Sequence, residues 1–365
     1  MPPGEAETGA VGAPARAVAA ARVARDAAAD AHPSPAWSLA LRLAILALLL
    51  AVAIVAAVRL GAVPLDTATL LDALAGRGDA TIVTIVRELR LPRALQAALV
   101  GAALAASGAT FQALLRNPLA EPYILGVSSG AAAGAVATVV TGWAARVVWA
   151  LPVAAFAGAV LAMLLVLRIA LGVGRMLDTR VLLLAGVVVS SFLVAAIWLA
   201  LTFADAEATR SAIFWMMGSH AGASWGSVAI LAACLGPALV VLLALARPLD
   251  LLAIGEPTAA YLGTSVERTK LLAYATATLL TAASVSVSGT IGFVGLVVPH
   301  VVRLLWGSDT RALLPSAALL GAVFLVGADT LARTLAGATE LPIGVVTAFV
   351  GVPIFVWLLR RPGTA

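Results

Sequence analysis

The sequence predicts an all-α polytopic membrane protein with about ten transmembrane helices. Composition, run length and charge placement carry that prediction. Hydrophobic residues make up 62% of the chain and charged residues 11%, less than half of the roughly 25% usual in soluble domains. A bilayer core takes about 20 apolar residues per helix, and ten runs of that kind can be drawn: 40–58, 93–115, 123–140, 147–167, 181–202, 225–246, 271–287, 291–305, 313–334 and 343–359. With the N-terminus inside, 15 of the 23 basic residues fall on the cytoplasmic side and 8 outside, which sets the orientation by the positive-inside rule.

Residues 1–39 precede the first run, are rich in Ala and Pro, and carry Arg16, Arg22 and Arg25 without a cleavable-signal pattern. They read as a cytoplasmic tail, mostly disordered, with a frayed helix across 15–31. Residues 40–361 read as the transmembrane domain and 362–365 as a short C-terminal tail. Five of the eight outer basic residues crowd between Arg59 and Arg93. Arg59, Arg77 and Arg87 share that segment with Asp66, Asp72, Asp79 and Glu88, and local solvated pairs are the expectation for them. Residues 211–218 (SAIFWMMG) are too short to cross and are placed at the interface, with Trp215 at headgroup level. The eighth run is short and holds Gly292, Gly295 and Pro299, so a broken or re-entrant helix is expected, enclosed by protein.

The one strongly polar stretch inside the apolar pattern is 247–270, RPLDLLAIGEPTAAYLGTSVERTK. Pro257 is placed to start a helix of about two turns and Gly263 to stop it. So definite a loop at a membrane surface reads as a docking surface for a soluble partner, or as a surface helix that only turns the chain.

Several classes are excluded or weakened. The single Cys234 lies in an apolar run, so one chain forms no disulfide and no cysteine metal site. The pI of 10.3 points to anionic lipid at loop ends and not to nucleic acid, since no soluble basic domain exists. The phosphate-loop pattern G-x-x-x-x-G-K-[ST] is missing, and the only lysine, Lys270, sits in VERTK. An ion-coupled secondary transporter would need intramembrane acids. Asp329 is the one acid well inside an apolar run, and Arg333 four residues on suits an i,i+4 pair instead. His300 has no second ligand at metal spacing and is assigned to backbone bonding. Met216 and Met217 are assigned to the core or interface. Gly101-x-x-x-Ala105, Gly126-x-x-x-Gly130 and Gly130-x-x-x-Gly134 mark close helix packing.

The run RLPRALQAALVGAALAASGATFQALLRNPLAEPYILGVSSGA (90–131) resembles the permease subunits of binding-protein-dependent ABC importers for ferric siderophores, haem and cobalamin, the FecCD-type transmembrane family. A second block, SGTIGFVGLVVPHVVRLLWGSDTRALLPSAALLGAVFLVGADTLARTLAGATELPIGVVTAFVGVPIFVWLLRR (288–361), agrees, and IGEPTAAYLG is similar to the family's cytoplasmic coupling segment. The resemblance covers about 40–361 and implies a type II ABC importer permease fold.

It further implies a homodimer with the substrate path on its two-fold axis, in a bacterial inner membrane, both termini cytoplasmic. Two ATP-binding subunits dock inside and one periplasmic or extracellular binding protein outside. ATP and Mg are used by the partner ATPase, and this chain holds no cofactor, metal or catalytic residue of its own. Within 250–263, the coupling residues are Gly255, Glu256, Pro257, Ala260, Tyr261, Leu262 and Gly263. Arg90, Arg93 and Arg333 are assigned to the binding protein, where paired charges give register and encounter rate. Asn117 and Leu119 match a constriction that closes the path from the cytoplasm. Thr179 and Arg180 match a second one loosely, because Arg180 replaces an expected small polar residue. Ferric siderophore is the first choice of cargo, haem the next and cobalamin the third.

Overall fold

A computed structural model describes residues 39–61, 64–173, 177–335 and 340–359. The tails assigned to 1–39 and 362–365 lie outside the described residues except for Leu39, which opens the first helix. Among the described residues every regular element is helical. The chain runs α1 (Leu39–Arg59), α2 (Thr67–Leu74), then one continuous helix α3 (Ala80–Leu114). After a 3-10 turn at Pro122–Leu125 come α4 (Val127–Val140), a single turn at Trp143–Arg146, α5 (Ala150–Val173), α6 (Thr179–Thr202) and α7 (Ala206–Met216). The remainder is α8 (Trp225–Ala244), α9 (Ala246–Ile254), α10 (Glu256–Tyr261), α11 (Val266–Ser288), α12 (Val294–Trp306), α13 (Thr310–Thr334) and α14 (Ile343–Leu359).

Seven of these, α1, α3, α5, α6, α8, α11 and α13, are long and apolar enough to cross a bilayer. The shorter apolar helices α4, α12 and α14 stand where the other three predicted runs lie.

Helix α3 is the centre of the molecule. Its apolar window is 89% buried, against 17% for α1. Composition explains this: Gly101 and Gly108 let other helices close onto its backbone. A Cβ at Gly101 would overlap the Gly321 carbonyl of α13, and one at Gly108 the Gly295 carbonyl of α12. A similar approach joins α4 to α5, Gly130 against Gly158 and Gly134 against Ala154, so two of the three small-residue patterns sit where helices cross. Outer helices present large apolar side chains such as Leu48, Leu161, Phe192 and Val240, the surface a lipid tail or a second membrane chain would cover.

The start of α3 departs from the sequence reading, which began this span at residue 93. The helix begins at Ala80 and passes through Pro92 by winding Ile85–Arg90 as a π-helix. In that register Leu91 N–H donates to Val86 O, and the Arg87 carbonyl would look to residue 92, a proline with no N–H. The indole of Trp225, opening α8, donates to that carbonyl at 3.0 Å instead.

Two of the four acids of this segment, Asp66 and Asp79, cap helices. Asp66 accepts from Thr69 N and caps α2. Asp79 accepts from Thr81 N and Ile82 N and caps α3. Both carboxyls are held below the usual carboxylate range, Asp66 by hydrogen bonds from Thr69 and Asp79 by those from Ile82 and Thr81. Arg87 donates to Leu74 O and Arg59 to Leu65 O, carbonyls left over at helix ends and turns. Among the described residues no ion pair joins these arginines to these acids.

The break between α11 and α12 is as expected, and its backbone is enclosed by protein. Gly289 and Phe293 both have positive φ, 67° and 68°. Tyr123 Oη donates to Ile291 O and accepts from Ile291 N. Glu121 Oε1 accepts from Phe293 N at 2.9 Å, placing a carboxylate at the start of α12, where the helix dipole favours it. Residues 211–216 are the second half of the longer helix α7, capped by Asp205, and Met217 and Gly218 end it. His300 lies inside α12 with its Nε2 buried and unpartnered among the described residues, so the backbone bond expected of it is not made by that atom.

Candidate functional site

Two polar clusters sit at opposite ends of α3, about 35 Å apart at 1.5 Å per residue. One surrounds α10. Gly255, at φ 152°, turns the chain sharply out of α9, and Glu256–Tyr261 form the helix with Pro257 in its first turn. Gly263, at φ 83°, ends it. Gly263 N–H donates to Ala260 O and Thr264 N–H to Ala259 O, the paired bonds of a Schellman stop, which needs a left-handed residue at that glycine. Ala259 is fully buried against Leu252 and Val266, so one face of the helix is seated and the other points away. Tyr261 is 96% exposed and Leu262 63% exposed.

The base of this helix is ionic. Glu256 Oε2 lies 2.6 Å from Lys270 Nζ, and Glu256 Oε1 lies 3.6 Å from Arg116 Nη2. Lys270 is buried and also donates to Leu177 O at 2.6 Å, while Leu177 N donates to Glu267 Oε1 at 2.9 Å. A buried ammonium is stable only with its donors used, and two of the three are used here. Sequence reasoning treated Lys270 only as a lysine outside a phosphate loop, and it gave Arg116 no role. The available signal was that a lone lysine opens an apolar helix.

Arg116 has φ 49°, uncommon for a side chain of its size. It closes α3 into the turn Asn117-Pro118-Leu119, where Asn117 Oδ1 accepts from Leu119 N at 2.9 Å. This is the Asx turn that Asn and Pro favour, and Leu119 stands 41% exposed on it. Thr179 opens α6 and Arg180 is exposed beside it, with Asp178 capping that helix by accepting from Arg180 N. Arg116, Asn117 and Pro118 also line a cleft of about 600 Å³ that reaches Asp250, Arg303 and Thr310. Asp250 Oδ1 accepts from Thr310 N at 3.1 Å, tying α9 to the start of α13.

The other cluster brings together Arg90, Arg93 and Arg333, the three arginines singled out from the sequence. Each has internal partners. Arg93 lies against Asp329 at 3.0 Å and against Glu340 at 2.9 Å. Arg333 Nε lies 3.1 Å from Asp329 Oδ2, the i,i+4 pair the spacing predicts. Arg333 also donates to Ala57 O and Leu60 O, and Arg90 to Val58 O and Arg59 O. Those carbonyls end α1 and have no intrahelical donors of their own, so the arginines cap it. Asp329 is fully buried, whereas the Glu340 side chain is 48% exposed.

Between the clusters the interior carries a few hydrogen-bonded polar groups, although His220 Nε2 is buried without a partner among the described residues. Gln96 donates to His220 Nδ1 at 3.1 Å and accepts from Ser227. Gln112 donates to Gly295 O and Leu296 O and accepts from Arg303. Among the described residues no group of His, Cys, Asp and Glu is arranged to hold a metal ion.

The α10 cluster is thus a seated helix that exposes an aromatic, beside the turn that closes α3. The profile of the FecCD transport family matches residues 49–361. The chain belongs to the FecCD transport family. Its relatives in that family include the cobalamin import system permease protein BtuC of Halobacterium salinarum, 48% identical over 77% of this chain and 74% of the relative. The vitamin B12 import system permease protein BtuC of Salmonella paratyphi A is 43% identical over 80% and 86%. YvrB of Bacillus subtilis, an ABC transporter permease protein of uncharacterised role, is 44% identical over 78% and 81%. Among solved structures, an inward-facing metal-chelate type ABC transporter chain matches with TM-score 0.79 at 31% identity, over 87% of this chain and 98% of that one. This FecCD chain is thus a multi-pass membrane protein of the ABC permease type.

Proposed function

We propose that this chain is the permease subunit of a binding-protein-dependent importer that carries a bulky metal chelate into the cytoplasm. It works as a homodimer with the path on the two-fold axis, driven by two separate ATP-binding subunits that use ATP and Mg. The observation that carries the reading is α10. Its inner face is packed through Ala259 while Tyr261 and Leu262 stand out from it. An exposed aromatic and leucine on a rigid support are the anchors a partner pocket takes. Since the chain has no phosphate loop, the work is done in the partner and delivered here. Gly255, Glu256, Pro257, Ala260, Tyr261, Leu262 and Gly263 form that contact, on the cytoplasmic side of a bacterial inner membrane with both chain termini inside.

Asn117 and Leu119, with Thr179 and Arg180, close the cytoplasmic end of the path. The exposure of Asn117, Leu119 and Arg180 in the single chain, with Thr179 half-buried, supports this, because a constriction on a two-fold axis is built from residues each copy presents outward. At the opposite rim Arg90, Arg93 and Arg333 form the floor on which the binding protein docks. Arg93 meets its outer partner Glu340 at the surface, and a carboxylate of a docking protein could take Glu340's place.

Two relatives are named for cobalamin or vitamin B12 import, which moves a corrinoid ahead of ferric siderophore and haem as the cargo to offer first. ATP-dependent accumulation of cyanocobalamin, a ferric hydroxamate siderophore or haem in proteoliposomes tests the reading. Uptake driven by a proton or sodium gradient without ATP would replace it with a secondary transporter.

A further inference from the structure

The geometry points to Glu256 as the node through which α10 acts on both segments that close the path. This rests on the proposed gating role of Asn117, Leu119, Thr179 and Arg180. Glu256 is the first residue of α10, and its two carboxylate oxygens face two different cations. Through Lys270 it reaches Leu177 O, two residues before Thr179. Through Arg116 it reaches the residue directly before Asn117. One carboxylate on the partner-facing helix is therefore linked to both candidate constrictions, which are separated in sequence by some sixty residues.

The two arms differ in kind. The Lys270 arm is short, 2.6 Å on each side of the ammonium, and buried. Charge-assisted bonds of that length in an interior shielded from water are stiff. The Arg116 arm spans 3.6 Å, and the Arg116 side chain is 43% exposed, so it belongs to the weak, solvent-screened class. A displacement of α10 carries the Leu177 segment with it and makes or breaks the Arg116 contact. The φ of 49° at Arg116 adds to this. A left-handed arginine between a long helix and an Asx turn has a helical alternative of lower backbone energy, so the pair with Glu256 favours one of two states of the turn. Arg116 and Lys270 are positioning residues: they act on the path through Asn117 and Leu177.

The test reads the gate without needing the cargo. The complex of this chain with its ATPase subunits is reconstituted with Cys234→Ser and Leu119→Cys. Labelling of the new thiol by a membrane-impermeant maleimide is compared with and without ATP, alongside ATP hydrolysis. Arg116→Asn relieves the left-handed backbone and removes the charge, whereas Arg116→Lys keeps the charge. The node predicts that Arg116→Asn keeps ATP hydrolysis within about twofold while the ATP-dependent change in labelling falls about two- to fivefold, the worth of one exposed ion pair, and that Arg116→Lys restores most of it. A purely structural role of this turn would leave Arg116→Asn at least as responsive as the parent, and that result overturns the node alone. Lys270→Met should remove the response at Thr179→Cys in the same way. If that variant fails to assemble, the Arg116 pair still decides. No ATP-dependent change in the parent would overturn the gating assignment and the node with it.

Discussion

Arg93 and Asp329, 236 residues apart in sequence, form a two-point ion pair, with Arg93 Nε and Nη2 each 3.0 Å from Asp329 Oδ1. The aspartate is shared with Arg333, so a single buried carboxylate holds α3 at Arg93 beside the end of α13, and Arg333 also reaches the last carbonyls of α1. Asp329→Asn would leave Arg333 without its carboxylate partner and Arg93 with the half-exposed Glu340 alone. Breaking a buried pair costs about 3–5 kcal/mol, so Asp329→Asn should lower the thermal midpoint of the detergent-solubilised protein sharply. Arg93→Met combined with Asp329→Asn should cost less than the sum of the two singles, as a double-mutant cycle would show.

The π segment and the glycine contacts make a second, steric prediction. Gly108 stands against the backbone of Gly295 with no room for a Cβ. Gly108→Ala should therefore destabilise by about 1–3 kcal/mol or more through overpacking, although alanine is the better helix former. Thermal unfolding followed by size-exclusion of the solubilised protein measures it, and a neutral or stabilising result would mean that α12 moves freely away from α3.

Much of this was readable from residues alone, and the reasons differ by element. The ten apolar runs coincide with seven long helices and three short ones because hydropathy reports the environment of a helix directly. The bounds of α10 followed from Pro257 and Gly263, whose backbone preferences are local. The Asp329–Arg333 pair followed from helical spacing. What could not be read depends on distant partners. Arg90 and Arg333 were separated from ordinary rim arginines only by meeting the carbonyls of α1, and Glu121 acquires its role only where Phe293 begins α12. The early start of α3 was hidden because a π turn carries the helix past Pro92, where the sequence signals a stop. Lys270 had no role beyond lying outside a phosphate loop until Leu177 and Glu256 closed over it.

Tyr261 carries a prediction on partner affinity. It is almost wholly exposed, and under the proposed function it is the anchor for the ATPase subunit. Tyr261→Ala should leave insertion and thermal stability unchanged while weakening the ATPase association by about 2 kcal/mol or more, the size of an interface anchor. Co-purification under a salt and dilution series reads this out. Equal retention of the ATPase would remove Tyr261 from the contact.

At the other rim, Glu340 occupies the outer face of Arg93. If the binding protein presents a carboxylate to that arginine, Glu340→Ala removes a competitor and should tighten its docking by about two- to fivefold, the worth of one exposed ion pair. Biolayer interferometry of the binding protein on the permease complex in nanodiscs tests it. Weaker docking would show that Glu340 is itself part of the surface, and unchanged docking would leave the three arginines their internal roles alone, Arg90 and Arg333 capping α1 and Arg93 pairing with Asp329.

The central claim is that a separate ATPase drives a metal chelate through this chain. The measurement that meets it most directly is uptake into proteoliposomes holding this chain, its ATPase and its binding protein. Cyanocobalamin, a ferric hydroxamate siderophore and haem would be offered in parallel, with and without ATP. Accumulation of one chelate only when ATP and the binding protein are both present is the predicted result. Accumulation that follows a proton or sodium gradient and ignores ATP would contradict it.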